Sequence, residues 1–120
     1  MSIKYYIDTQ HGIVVSETDV SPTFEEIADL LERLQVDPDF DPSFGHLADY
    51  SSSETRGLTS DELRRLAEFA VFAPTAKRAI VVQAGLQYGL GRMYQLIKGD
   101  PDTVRLFASK EEALQWLVED

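Results

Sequence analysis

The spacing of hydrophobic residues along this chain changes repeatedly between a period of two and a period near 3.6. At the start, Ile3, Tyr5 and Ile7 alternate with more polar residues, which predicts a half-buried strand. Residues 9–12 are typical of a turn, in which Gly12 can take a positive φ angle. An apolar run follows the turn at once, so the chain opens with a predicted β-hairpin.

Three segments share a helix-start pattern, in which a hydroxyl residue precedes a glutamate by three positions and an apolar stripe follows. In a capping box the hydroxyl accepts a hydrogen bond from a first-turn N–H, and the glutamate accepts one from the cap residue's N–H. The pairs are Thr23 and Glu26, Thr59 and Glu62, and Ser109 and Glu112. Each pair follows a strand-like run, so strands alternate with helices and the pattern predicts an α/β fold.

The rest of the pattern completes the order ββαβαβαβα. Further strands are predicted over 45–50, 79–83 and 103–107. Further helices are predicted to begin at Thr59 and at Ser109, and a third is predicted over 86–98. Within 79–83, the first four residues are continuously apolar, which is typical of a parallel sheet covered on both faces. We therefore expect a mixed, mostly parallel five-stranded sheet in one domain spanning residues 1–120.

Helical spacing also predicts which side chains face the core. The inward positions are Phe24, Ile27, Leu31 and Leu34 on the first helix, Leu63, Leu66, Ala67 and Ala70 on the second, and Leu114 and Leu117 on the last. The second helix is expected to end before Pro74, and Trp116 falls on a flank where it would seal the edge of the core. Phe40 and Phe44 are expected to attach the proline- and aspartate-rich linker 37–44 to the core.

Composition excludes several classes of function. The chain has 120 residues, no cysteine and no apolar stretch near the ~20 residues that span a bilayer. Its net charge is −10, with 12 acidic and 3 basic residues in the first half. Because nucleic acids and anionic membranes are bound through Lys and Arg, this balance argues against both partners. We expect a cytoplasmic protein.

Residues with catalytic chemistry are sparse. His11 falls in the hairpin turn, and His46 and Asp49, three apart in a strand, should point to opposite faces of the sheet. The alternating aspartates at 37, 39 and 41 could ligate calcium, but they lack the glycine and distant glutamate of an EF-hand, so a solvated linker is favoured. We therefore expect neither an enzyme nor a bound metal or cofactor.

Four segments support a family resemblance, DPDFDPSF (37–44), FAP (72–74), GLGRMY (89–94) and EALQWL (112–117). With the element order, they resemble the STAS-like class, typified by bacterial anti-sigma-factor antagonists. Within that class the chain is most similar to small uncharacterised bacterial proteins grouped with a lipid-transfer, CRAL-TRIO-like branch. The resemblance implies a superhelical βα sheet, no cofactor and often a homodimer.

The resemblance also implies a site for phosphorylation. Anti-sigma-factor antagonists carry a phosphorylatable serine in an Asp-Ser-Ser-Gly turn, which opens the helix after the third strand. Here that helix opens with the sequence GLTSD, so Ser60 occupies the first helical turn, where a phosphate is favoured by free N–H groups. The favoured interpretation is that Thr59 is an ordinary helix cap without a regulatory role, and phosphorylation is the alternative.

These observations define two candidate surfaces and two hypotheses. The candidate ligand or regulatory rim, at the carboxyl ends of the strands, comprises Tyr50, Ser51, Ser52, Ser53, Thr59, Ser60, Gly85 and Tyr88. The candidate interface comprises Phe69, Phe72, Tyr88 and Arg92; Phe72 could alternatively turn into the core. The favoured hypothesis is a non-enzymatic STAS-like domain that acts through protein association, as a homodimer or with a regulatory protein partner. The alternative is a small carrier of an apolar ligand or lipid.

Overall fold

One five-stranded sheet organises the molecule. The structure is a computed structural model that describes residues 3–17, 23–49, 59–68, 71–82, 92 and 103–119. The strands are β1 (Lys4–Asp8), β2 (Ile13–Glu17), β3 (Gly45–Asp49), β4 (Arg78–Val81) and β5 (Val104–Phe107). They lie in the order β1-β2-β3-β4-β5, with β1 antiparallel to β2 and every other neighbouring pair parallel. The predicted mixed, mostly parallel α/β sheet is confirmed.

Three helices are described, and each begins at a predicted cap. They are α1 (Phe24–Gln35), α2 (Ser60–Ala67) and α3 (Lys110–Val118). Reciprocal capping-box bonds of 3.0–3.1 Å join Thr23 to Glu26 and Thr59 to Glu62. At the start of α3 the third pair makes the hydroxyl half of the box, with 3.4 Å between the N–H nitrogen and the hydroxyl oxygen. None of these helices has the length and apolar character needed to cross a membrane.

Helix α2 is shorter than the pattern predicts. It ends at Ala67, whereas apolar spacing predicted a helix continuing almost to Pro74. Residues 71–77 are irregular, and the N–H of Ala73 donates to the carbonyl of Pro42 at 2.7 Å and not to a preceding helical turn. A residue that precedes proline is also disfavoured in the helical region. The predicted helix over 86–98 falls outside the described residues except for Arg92, which is helical.

The α3 face of the sheet carries one apolar cluster. Its buried strand residues are Ile13, Val15, Leu47, Ala79 and Val81, and its buried helix residues are Ala113 and Trp116. Trp116 thus belongs to the core and not to a flank, with Leu114 and Leu117 only partly buried beside it. The reason is size: the small, fully buried Ala113 lets α3 approach the sheet, and the large Trp116 side chain, three residues on, then reaches the core.

The opposite, α1 face carries a second cluster. Its buried members are Ile3, Val14, Leu30, Leu34, Val71 and Phe72. Leu30 is fully buried although the predicted stripe omitted it, whereas Phe24 is half-buried beneath the Arg65 guanidinium, 4.3 Å from its ring centroid. Phe40 and Phe44 pack against this cluster, so the predicted attachment of the linker to the core is confirmed.

The hairpin turn depends on a glycine. Gly12 has a φ angle of +66°, as predicted, and a Cβ atom there would lie 3.3 Å from the ring of Phe44. The carbonyl of Gly12 accepts a hydrogen bond from the N–H of Gly45 at 2.9 Å, at the start of β3. The turn therefore links the hairpin to the linker and to the third strand.

Candidate functional site

A buried pair of polar side chains lies on the α1 face, between β2 and β3. Ser16 is fully buried and His46 is 6% exposed, and they are the buried polar residues of the described core. The parallel register places Val14 opposite His46 and Ser16 opposite Ala48, so both polar side chains share one face of the sheet. The Ser16 Oγ and His46 Nε2 atoms lie 2.8 Å apart, which is a hydrogen bond between buried groups.

Aromatic and cationic groups enclose the histidine. The rings of His46 and Phe72 are stacked, with centroids 5.0 Å apart and planes 6° apart. The guanidinium of Arg78, which pairs with His46 in the β3–β4 register, lies 5.0 Å from the Phe72 ring centroid. Burial, followed by the charge of Arg78, lowers the pKa of His46 to about 3. The imidazole is therefore neutral near pH 7.

The linker closes this region from outside. Phe40 meets Phe72 edge-on, with ring centroids 5.2 Å apart. At the far end of the linker, the hydroxyl of Tyr5 donates to Asp37 Oδ2 at 2.7 Å. That hydrogen bond raises the pKa of Tyr5 and, with the backbone N–H of Asp39, lowers the pKa of Asp37. The start of the linker is thus held to β1 through Asp37, and Phe40, near its middle, contacts Phe72.

The linker aspartates bond to the chain around them. Asp37 Oδ1 accepts from the N–H of Asp39 at 3.0 Å, and Asp41 Oδ1 accepts from the N–H and the hydroxyl of Ser43 at 2.8 and 2.7 Å. Such contacts stabilise turns. Within the described part of the chain, no group of three or more His, Cys, Asp or Glu side chains could hold a metal ion. This geometry supports the braced-linker interpretation of the aspartates.

A serine bonded to a histidine can be a nucleophile and its base, so accessibility decides what this pair can do. The Ser16 hydroxyl is buried on the α1 face of the sheet. Among the described residues, Ser16 is the residue whose side chain forms a hydrogen bond with the His46 ring. As it stands, the arrangement satisfies two buried polar groups, which a folded protein requires.

The sequence pattern did not anticipate this pair. The spacing of His46 and Asp49 predicts that they lie on opposite faces, and they do, since Asp49 pairs with Val81 of the α3-face cluster. The available signal was a serine and a histidine next to the apolar residues of two strands. The other histidine, His11, is exposed and bonds Asp8, with 2.8 Å between Nδ1 and Oδ2.

The predicted rim and interface residues are only partly described. Thr59 is exposed and caps α2, and Ser60 is the first residue of that helix. Phe72 is 8% exposed, so of its two predicted placements the structure shows the inward one. Arg92 is exposed. The predicted residues Tyr50, Ser51, Ser52, Ser53, Phe69, Gly85 and Tyr88 lie outside the described residues.

Among the described residues, the side of β1 on the α3 face is open, with Lys4 and Tyr6 exposed. Lys4, Tyr6 and Asp8 share the sheet face that carries α3, as the pairing of Tyr6 with Val15 shows. Helix α3 packs on β3, β4 and β5, and Tyr6 is 51% exposed. Among the described residues β1 pairs with β2 alone, so it forms an edge of the sheet. An exposed aromatic between two opposite charges therefore lies on an edge strand.

Comparison with known proteins supports the fold. No protein-family model and no curated protein sequence matches the chain. A crystal structure of an uncharacterized protein from the DUF3478 family with a SpoIIAA-like fold, from Shewanella loihica PV-4, aligns with 97% of this chain and 92% of its own. The TM-score is 0.62 and the sequence identity is 19%. The chain therefore has a SpoIIAA-like, STAS-like α/β fold, as the sequence predicts.

Proposed function

We propose that this chain is a non-enzymatic STAS-like domain that acts through association with another protein molecule. The observation that carries the proposal is the open side of β1, where Lys4, Tyr6 and Asp8 lie on an edge strand with Tyr6 half-exposed. An unpaired edge offers backbone N–H and C=O groups to a further strand, and a tyrosine beside charges is typical of binding surfaces.

The buried polar pair favours this function over catalysis. Ser16 and His46 bond to each other beneath Phe72, and the low pKa of His46 keeps its ring neutral. Neutral buried groups that satisfy each other rigidify one packing arrangement, which is a structural role. Loss of this pair should therefore destabilise the fold.

Native mass spectrometry of the chain isolated from its natural source, without added ligand, tests the proposal. We expect a mass equal to two copies, or to one copy with a second polypeptide. A monomer that retains a small apolar molecule in stoichiometric amount would overturn the proposal and support the carrier hypothesis. A bare monomer at every concentration would also contradict it.

A further inference from the structure

Two residues of opposite charge stand at equal distances on either side of Tyr6 in β1. Lys4 precedes it by two residues and Asp8 follows it by two, and all three share one face of the strand. On the opposite face, Tyr5 and Ile7 pack against the α1-face cluster. The open side of the strand thus carries a cation, an aromatic ring and an anion in sequence.

This order is complementary to itself in one arrangement. If two β1 strands pair antiparallel about a two-fold axis at Tyr6, Lys4 of each copy faces Asp8 of the partner subunit. Tyr6 then faces Tyr6 of the partner subunit. A parallel pair in register would instead place lysine opposite lysine and aspartate opposite aspartate, which is unfavourable. A two-residue slip would leave charges facing the tyrosine.

We propose that two copies of this chain associate through β1, antiparallel and centred on Tyr6, which joins their sheets into one continuous sheet. This inference rests on the proposed function and names the partner as a second copy. Such a contact is isologous and closes after two subunits, as most homodimers do. It also satisfies edge groups that would otherwise remain open to other chains.

The contact is small. Each copy contributes a strand of five residues, whereas standard interfaces use about 20–30 residues a side. We therefore expect a weak dimer whose population rises with protein concentration and falls with salt, because the charges are exposed and screened. Asp8 enters the pairing as a carboxylate whose two oxygens already contact His11, Oδ1 at 3.1 Å from the backbone nitrogen and Oδ2 at 2.8 Å from Nδ1.

A charge exchange tests the register. Sedimentation velocity of the full chain over a concentration series compares the natural sequence with Lys4→Asp, Asp8→Lys and the double variant. Each single change creates two like-charge contacts across the axis and should weaken the dimer by about tenfold or more. The double variant restores opposite charges and should recover most of the affinity. Glu32→Lys, an exposed charge reversal on α1, is the control that should leave the dimer unchanged.

A disulfide provides a second, independent measurement. The natural chain has no cysteine, so Tyr6→Cys introduces a single thiol at the two-fold axis. Opposed residues in an antiparallel pair have Cα atoms about 4.5–5.5 Å apart, within reach of a disulfide. Mild oxidation should then give a covalent dimer, whereas Glu32→Cys, exposed on α1, should give little.

The two proposals fail differently. A dimer that the charge exchange and the thiol do not affect would overturn the β1 pairing and leave protein association standing. A natural chain that stays monomeric up to about 1 mM, where even weak pairs form, would overturn the β1 pairing as well. In that case a second polypeptide found on the chain from its natural source would still support the proposed function.

Discussion

The imidazole of His46 lies flat against the phenyl ring of Phe72, with the two planes 6° apart. His46 belongs to a strand, and Phe72 to the irregular segment that follows α2. The contact therefore joins the sheet to a part of the chain without regular structure. At the edge of the imidazole, Ser16 shares a hydrogen bond with Nε2. A neutral histidine with this bond and an aromatic stack explains how a polar residue can occupy this core.

Stability should depend on pH through His46. Because its native pKa is about 3 and the ordinary value is 6.5, the unfolded chain takes up a proton below about pH 6.5 and the native protein does not. The free energy of unfolding should fall as the pH decreases, by up to about 1.4 kcal/mol per pH unit, or about 2 kcal/mol at pH 5. Urea denaturation at several pH values measures this slope.

The matched variants for this measurement are His46→Gln and His11→Gln, since the chain has two histidines. His46→Gln should remove the extra slope between pH 6.5 and 5, whereas His11→Gln, at an exposed position, should keep it. Equal slopes in the natural chain and in His46→Gln would show that His46 is not buried in its neutral form.

Removal of the Ser16 hydroxyl should destabilise the fold. Ser16→Ala leaves a buried ring nitrogen of His46 without its partner, and an unsatisfied buried polar group costs about 1–3 kcal/mol. Thermal and urea denaturation measure the loss. Ser43→Ala is the control, because that hydroxyl bonds Asp41 at the surface and its loss should have little effect. Equal effects of the two changes would contradict the buried pair.

Phe72 should behave as a core residue. Phe72→Ala removes the stack on His46 and the edge contact with Phe40, and such a truncation costs about 3–5 kcal/mol. Tyr6→Ala, at a half-exposed aromatic, should cost less than about 1 kcal/mol. Chemical denaturation compares the two variants. A Phe72→Ala variant as stable as Tyr6→Ala would indicate that Phe72 is not packed in the core.

The helix caps should differ in strength. Thr23→Ala removes one half of a reciprocal box with bonds of 3.1 Å and should cost about 1 kcal/mol. Ser109→Ala should cost less, because the Ser109 contact with the N–H of Glu112 is 3.4 Å long. The midpoint of urea unfolding reports both losses, and the reverse order would contradict the two geometries.

The fold could be predicted because its signals act over a few residues. A capping box spans three positions, as at Thr59 and Glu62, and strand alternation from Ile3 to Ile7 repeats every two residues. These patterns specify which segments become helices or strands and which side of a strand is apolar. The order of the segments then restricts how they can form one sheet.

The details that depend on neighbours distant in sequence required the structure. Ser16 and His46 are 30 positions apart, and their contact depends on the register of β2 against β3, which neither strand encodes alone. Trp116 is buried although ideal helical spacing placed it on a flank. Its large side chain reaches the core because the small Ala113 lets the helix approach the sheet.

The amino-acid sequence by itself thus determined the alternating elements, the caps and the α/β layering, since local hydrogen bonds and periodic burial follow from residue spacing. Only the tertiary structure decided that a histidine is sealed beneath Phe72 and that β1 presents Lys4, Tyr6 and Asp8 at an open edge. Burial and exposure of individual side chains depend on which distant segments cover them, and residue spacing does not specify that.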